Sequence, residues 1–96
     1  MPEVRAAVED LRLNLEGVLL ARRKVLLEMN VPKALLERIL PQLPAMKSPT
    51  VSPLAGEAGY AVKIAVDRDK AAKLIPELKR LGVTDILETR LSKIIP

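Results

Sequence analysis

Apolar side chains at the start of the chain fall at Val4, Val8, Leu11, Leu15 and Val18, alternating steps of four and three that mark one face of a helix. The pattern predicts a helix from Pro2 to Arg23. Pro2 suits its first turn, Gly17 weakens it near its end, and Arg22-Arg23-Lys24 puts positive charge where the helix dipole favours it. An apolar face of this kind packs on its own domain or on the same helix of a neighbouring copy. Val25 to Met29 is a short apolar run without clean alternation, which reads as a central strand buried on both faces and ended by Asn30-Val31-Pro32. A helix follows from Pro32 or Lys33 to Leu43. Its apolar face is Leu35, Leu36, Ile39, Leu40 and Leu43, and Pro41 and Pro44 kink or shorten its last turn.

The stretch Lys47-Ser48-Pro49-Thr50-Val51-Ser52-Pro53-Leu54 carries two prolines and three hydroxyls. Each proline removes a backbone donor and pushes its predecessor towards extended geometry, so this segment reads as an edge strand with polar groups left free for a partner. Gly56-Glu57-Ala58-Gly59 reads as a hairpin connection. Tyr60 to Val66 alternates, with Tyr60, Val62, Ile64 and Val66 on one side, and reads as a strand. Asp67 is a candidate N-cap for a helix to Leu81, which Gly82 stops at the C′ position. Ile86 to Ile95 supplies a last strand, interrupted near Ser92.

After the first helix the order is strand, helix, strand, strand, helix, strand. Laying 31–51 over 66–86 without a gap pairs Pro41-Gln42-Leu43 with Pro76-Glu77-Leu78, Arg38 with Lys73 and Thr50 with Asp85, and one residue further back it superposes Asn30 on Ala65. Two duplicated strand-helix-strand units make an α+β, ferredoxin-like βαββαβ sandwich: a four-stranded antiparallel sheet, with two helices on one face and the second and fourth strands at its edges. Chance likeness between two amphipathic helices would produce the same match, and at this point both accounts stand. The expected organisation is a linker-like helix over 1–23 and one sandwich domain over 24–96.

Composition narrows the chemistry. The chain has 96 residues, of which 49% are hydrophobic, and Tyr60 is its only aromatic, so one modest aliphatic core is expected. Cysteine and histidine are both absent, which removes thiolate and Ser-His or Cys-His nucleophiles and the common zinc sites. The net charge of +4 comes from 16 basic and 12 acidic residues that are interspersed, a soluble surface rather than a nucleic-acid footprint. No apolar run approaches the ~20 residues of a membrane span, and Met1-Pro2-Glu3 does not open a signal peptide, so the expectation is a cytoplasmic domain without membrane contact.

Carboxylates such as Glu28, Glu57, Asp67, Asp69, Asp85 and Glu88 sit where helix faces, caps and turns would place them, and no acid-base pair held in a cleft can be built from them. Asp67 and Asp69 are accounted for by helix capping and the dipole. The glycine-bearing loop at 56–59 lacks the Lys-Ser/Thr ending of a phosphate loop. RNA-recognition sheets read bases with aromatic side chains, and here the central strands offer only Tyr60. No acidic loop has the spacing of an oxygen-ligand metal site. Binding and assembly remain, and Ser48, Thr50 and Ser52 are short hydroxyls suited to a ligand held between copies.

Leu26-Leu27-Glu28-Met29-Asn30-Val31-Pro32, the Lys47 to Ala55 run with its S-P-T-x-x-P-L motif, Leu74-Ile75-Pro76-Glu77-Leu78-Lys79, Gly82 and Lys93-Ile94-Ile95 resemble the C-terminal regulatory domain of long-form ATP phosphoribosyltransferase. The likeness runs from Gly17 to Pro96. It implies a ferredoxin-like domain of an enzyme that makes the committed step of histidine biosynthesis. It also implies trimeric contacts within a hexamer, and L-histidine bound between neighbouring copies to favour a less active state.

Carried over by position, the ligand-binding candidates are Asn30, where the family has Asn or Asp, and Thr50 of the motif, with Met46, Ala65 and Asp85 as neighbouring walls. Two positions depart from the family: Gly59 stands where members often carry Trp, and Asp85 where a small residue is expected. The resemblance further implies two preceding catalytic domains that hold ATP, phosphoribosyl pyrophosphate and Mg²⁺. This chain is therefore expected to hold no cofactor, to be inert alone, and to partner with its own copies as a trimer and with a catalytic ATP phosphoribosyltransferase subunit. The competing expectations are a ligand-free oligomerisation module, a sensor retuned to another small molecule and, third, an RNA-binding domain.

Overall fold

The computed structural model describes residues 1–44 and 48–96. Its elements are α1 (Pro2–Ala21), β1 (Lys24–Val31), α2 (Leu36–Ile39), β2 (Thr50–Pro53), β3 (Tyr60–Asp67), α3 (Arg68–Leu81) and β4 (Thr84–Arg90). The strands form one four-stranded antiparallel sheet in the order β2-β3-β1-β4, which is the ferredoxin-like arrangement with β2 and β4 at the edges.

One face of the sheet is closed. Val25, Leu27, Met29 and Val31 of β1 and Val62, Ile64 and Val66 of β3 project from it into a core with Ile39, Ala71, Leu74, Leu78 and Val83. In α3 the buried Ala71, Leu74 and Leu78 recur at helical spacing, and the helix runs through Pro76 because core anchors lie on both sides of it. Gly82 ends α3 at φ 111°. Its N–H donates to the Lys79 carbonyl and that of Val83 to Leu78, the paired bonds of a Schellman motif. No charged or polar residue among those described is buried.

Several sequence expectations shift. The strand expected to stop at Met29 continues through Asn30 and Val31, because these residues keep register with Ala61 and Tyr60. Nor is it buried on both faces: its core side is closed while Lys24, Leu26, Glu28 and Asn30 are half-buried, since neither α2 nor α3 covers that side. The helix expected from 32 or 33 to 43 is only four residues of α-helix, flanked by 3-10 turns at Lys33–Leu35 and Leu40–Gln42. The shortened last turn expected from Pro41 is there, as the 3-10 turn that contains it. The matched halves still correspond, since a shift of 35 carries Lys33 onto Arg68, each the first residue of its helical segment.

The last strand spans Thr84–Arg90, not 86–95, and the tail beyond it crosses α1. There the Ile94 N–H donates to the Gly17 carbonyl at 3.0 Å and Lys93 Nζ to Asn14 Oδ1. A Cβ on Gly17 would meet Ile95 Cδ1 at 2.7 Å and the Ile94 carbonyl oxygen at 2.9 Å, so Gly17 is a point of close backbone approach and not a weakening of the helix. α1 ends at Ala21, two residues early, which leaves Arg22 and Arg23 beyond it. Their carbonyls accept from Arg68, through its side chain and its backbone N–H respectively. The apolar face expected on α1 exists, yet only Val18 at its base is half-buried among the described residues: Leu11 is 61% exposed and Val4, Val8 and Leu15 are similar. The protein measures 58 × 27 × 19 Å.

Candidate functional site

Because paired residues of an antiparallel sheet share a face, the register fixes what the uncovered side presents. Thr50 faces Lys63, Lys63 faces Glu28, and Glu28 faces Leu87. One row along, Ser52 faces Ala61, Ala61 faces Asn30, and Asn30 faces Thr84. Ala65 lies opposite Leu26. Asn30, Thr50 and Ala65, three of the expected ligand residues, thus share the open face. Met46, the fourth, lies outside the described residues.

Asp85 reaches this face by an irregularity. The β1–β4 ladder shifts register between Glu28 and Asn30, and opposite that shift Asp85 adopts φ 51°. Asp tolerates the left-handed region better than most residues. The result is a polar cluster in which Asn30 Nδ2 donates to Asp85 Oδ2 at 3.1 Å and Thr84 Oγ1 to the same oxygen at 3.2 Å. Thr84 was not singled out from sequence; its pairing with Asn30 depends on the register shift, which has no signature in residue types.

The expected residues do not all converge. Asn30 and Asp85 touch at one corner. Thr50 stands two strands across and two residues along from Asn30, about 12 Å away by ordinary sheet spacings. Ala65 lies on Thr50's side of the sheet, one strand across and two residues along from it. The open face therefore has two polar corners, separated by the Lys63–Glu28 ion pair at 3.8 Å.

Gly59, at φ 124°, would drive a Cβ to 2.5 Å from the Val31 carbonyl oxygen. A bulky residue there would require another backbone path at the β2–β3 connection. The connection closes with the Leu54 N–H donating to the Gly59 carbonyl, and Gly56 and Glu57 both have positive φ.

At the other end of β1 the chemistry is of a different kind. Asp67 occupies the N-cap position of α3 but makes no capping bond. Its carboxylate turns to Lys24, its register partner on β1, at 2.6 Å, with Lys70 at 3.7 Å. The expected cap is thus replaced by an ion pair. The hydrogen bond from Lys24, with the charges of Lys24 and Lys70, holds the Asp67 carboxyl below its ordinary value. A cleft of about 830 Å³ opens here between the end of α1 and the start of α3, its walls carrying basic and acidic side chains together. Among the described residues, no group of three or more His, Cys, Asp or Glu could hold a metal ion, and no helix is long and apolar enough to cross a membrane.

The family described as HisG, C-terminal domain, matches residues 21–93. The ATP phosphoribosyltransferase of Pelotomaculum thermopropionicum is 44% identical over 95 residues, covering 99% of this chain and 33% of that protein. That of Thermodesulfovibrio yellowstonii is 42% identical over 89 residues (93% and 30%), and that of Nitratidesulfovibrio vulgaris 44% over 94 residues (98% and 32%). The chain spans about a third of the length of these relatives. With the match covering every strand of the sheet and agreeing with the resemblance in the motifs, the chain belongs to the HisG C-terminal domain family.

Proposed function

We propose that this chain is a regulatory domain of histidine biosynthesis that binds L-histidine between neighbouring copies of itself, without catalysing a reaction or holding a cofactor of its own. The observation that carries the reading is that Asn30, Thr50 and Ala65 lie on the one sheet face that neither α2 nor α3 covers, with Asp85 hydrogen-bonded to Asn30 at its margin. L-histidine is shorter than the separation between the two polar corners. A second copy bringing its Thr50 corner against the Asn30 corner of the first would complete a site that one copy leaves open. Assembly as a trimer, a cytoplasmic setting and control of a catalytic ATP phosphoribosyltransferase subunit belong to the same proposal, through ligand affinity that differs between two assembly states.

The test is isothermal titration with L-histidine, with AMP as the control ligand, alongside sedimentation of the same sample. Saturable heat with histidine alone and a defined oligomer are expected. A chain that stays monomeric at every concentration and gives no heat overturns the proposal. A second reading, a ligand-free assembly module, is favoured by the Asn30–Asp85 bond, which engages one of the two amide hydrogens that a ligand would use. An oligomer without heat would select it, and heat with another small molecule in place of histidine would mark a retuned sensor.

A further inference from the structure

Three carboxylates border the open face, and they are not alike. Glu28 faces the Lys63 ammonium at 3.8 Å, and Asp67 holds Lys24 and Lys70. Asp85, exposed at the Asn30 corner, has no cationic partner among the described residues. It is nevertheless oriented. Its left-handed backbone and two neutral donors, Asn30 Nδ2 and Thr84 Oγ1, fix one oxygen, Oδ2, and leave Oδ1 without a hydrogen bond from the described residues. An oriented carboxylate with one satisfied oxygen and one open oxygen, and no cation to neutralise it, is a receptor for a positively charged donor.

We propose that Asp85 is the specificity-determining residue of the site, accepting the ligand's primary ammonium on Oδ1 while Asn30 and Thr84 hold the carboxylate in place. The inference rests on the ligand-binding reading above and adds the class of ligand admitted. That class is an amino acid or amine bearing a free ammonium group, in preference to a deaminated carboxylate of the same shape, which Asp85 repels. The amide at position 30 then acts as a positioning residue, and the charged recognition comes from the opposite strand.

The test is titration of the chain and of Asp85→Asn with L-histidine, with histamine, which keeps the ammonium and lacks the carboxylate, and with imidazole-4-propionate, which does the reverse. Asn is a near-isostere that also tolerates positive φ, and a thermal melt verifies that the variant folds. The expected result is binding of histidine and histamine, with the deaminated acid at least about tenfold weaker. Asp85→Asn should then lose roughly tenfold in histidine affinity and narrow that gap, as removal of one charge-assisted hydrogen bond would do. Unchanged histidine affinity in folded Asp85→Asn overturns this assignment and leaves the binding reading intact. Tighter histidine binding by the variant makes Asp85 a blocking group and overturns the assignment in the same way. No binding of any of the three ligands by either protein overturns the binding reading and the assignment with it.

Discussion

The eight residues of β1 belong to two different regions of the molecule. Val25, Leu27, Met29 and Val31 point into the core and are almost wholly removed from water, whereas Lys24, Leu26, Glu28 and Asn30, alternating with them, are half-buried on the open side. The closed face is aliphatic, and its contribution scales with buried area. The open face carries an ion pair at each of two positions and an amide–carboxylate bond at a third, interactions that add little to stability in contact with water. One strand thus separates what holds the domain together from what it can recognise, and substitutions on its two sides should have different readouts.

The largest expected effect is Leu27→Ala. Leu27 is fully buried, so the loss should be about 3 kcal/mol in chemical unfolding. If the two faces are as separate as the geometry implies, ligand affinity of the folded fraction stays unchanged, and a parallel fall in affinity would break the comparison. Next is Gly17→Ala. Alanine at a helical glycine ordinarily adds up to ~1 kcal/mol. Here the new methyl displaces the tail, so a loss of about 1 kcal/mol and faster amide exchange at Ile94 are expected.

On the open face, Asn30→Ala and Thr50→Ala should each move the unfolding midpoint little, by under ~0.5 kcal/mol. Each should weaken histidine binding about fivefold in calorimetry, the worth of one hydrogen bond. Large destabilisation by either would place that residue with the core.

The smallest effect concerns Asp67. Its folded-state pKa is depressed by Lys24 and Lys70, so the ionised carboxylate contributes stability above the ordinary carboxylate range, and that contribution is lost as pH falls through the range. Thermal midpoints between neutral pH and about pH 3 should fall less steeply for Lys24→Ala than for the parent chain.

The elements β3 and α3 and the closed face were legible because they rest on periodicity. The alternation of Tyr60 to Val66 and the spacing of Leu74 and Leu78 are properties of the residues themselves. Pro53 at the edge strand β2 and Gly82 at the helix stop were legible because backbone chemistry dictates their places. What the residues did not reveal depends on partners distant in sequence. Asn30 joins β1 only because Ala61 and Thr84 pair with it, and Asp67 abandons its cap because Lys24 stands opposite. Lys93 to Ile95 has the composition of a strand and becomes a strap across α1 because Gly17 leaves room for it. At the candidate site, Asn30, Thr50 and Ala65 were placed on one face by register, but the separation of the corners is a property of the sheet's width and is invisible in the chain order.

That strap gives α1 a mechanical character. The helix is held near its base through Gly17 and Asn14 and runs from there to Pro2. From Gly17 to Pro2 it makes an arm of about 22 Å, so a tilt of about 5° at the grip carries the far end through roughly 2 Å. A rotation of the sandwich at that base, too small to disturb any hydrogen bond in the sheet, would emerge at Pro2 as a displacement the size of an atom.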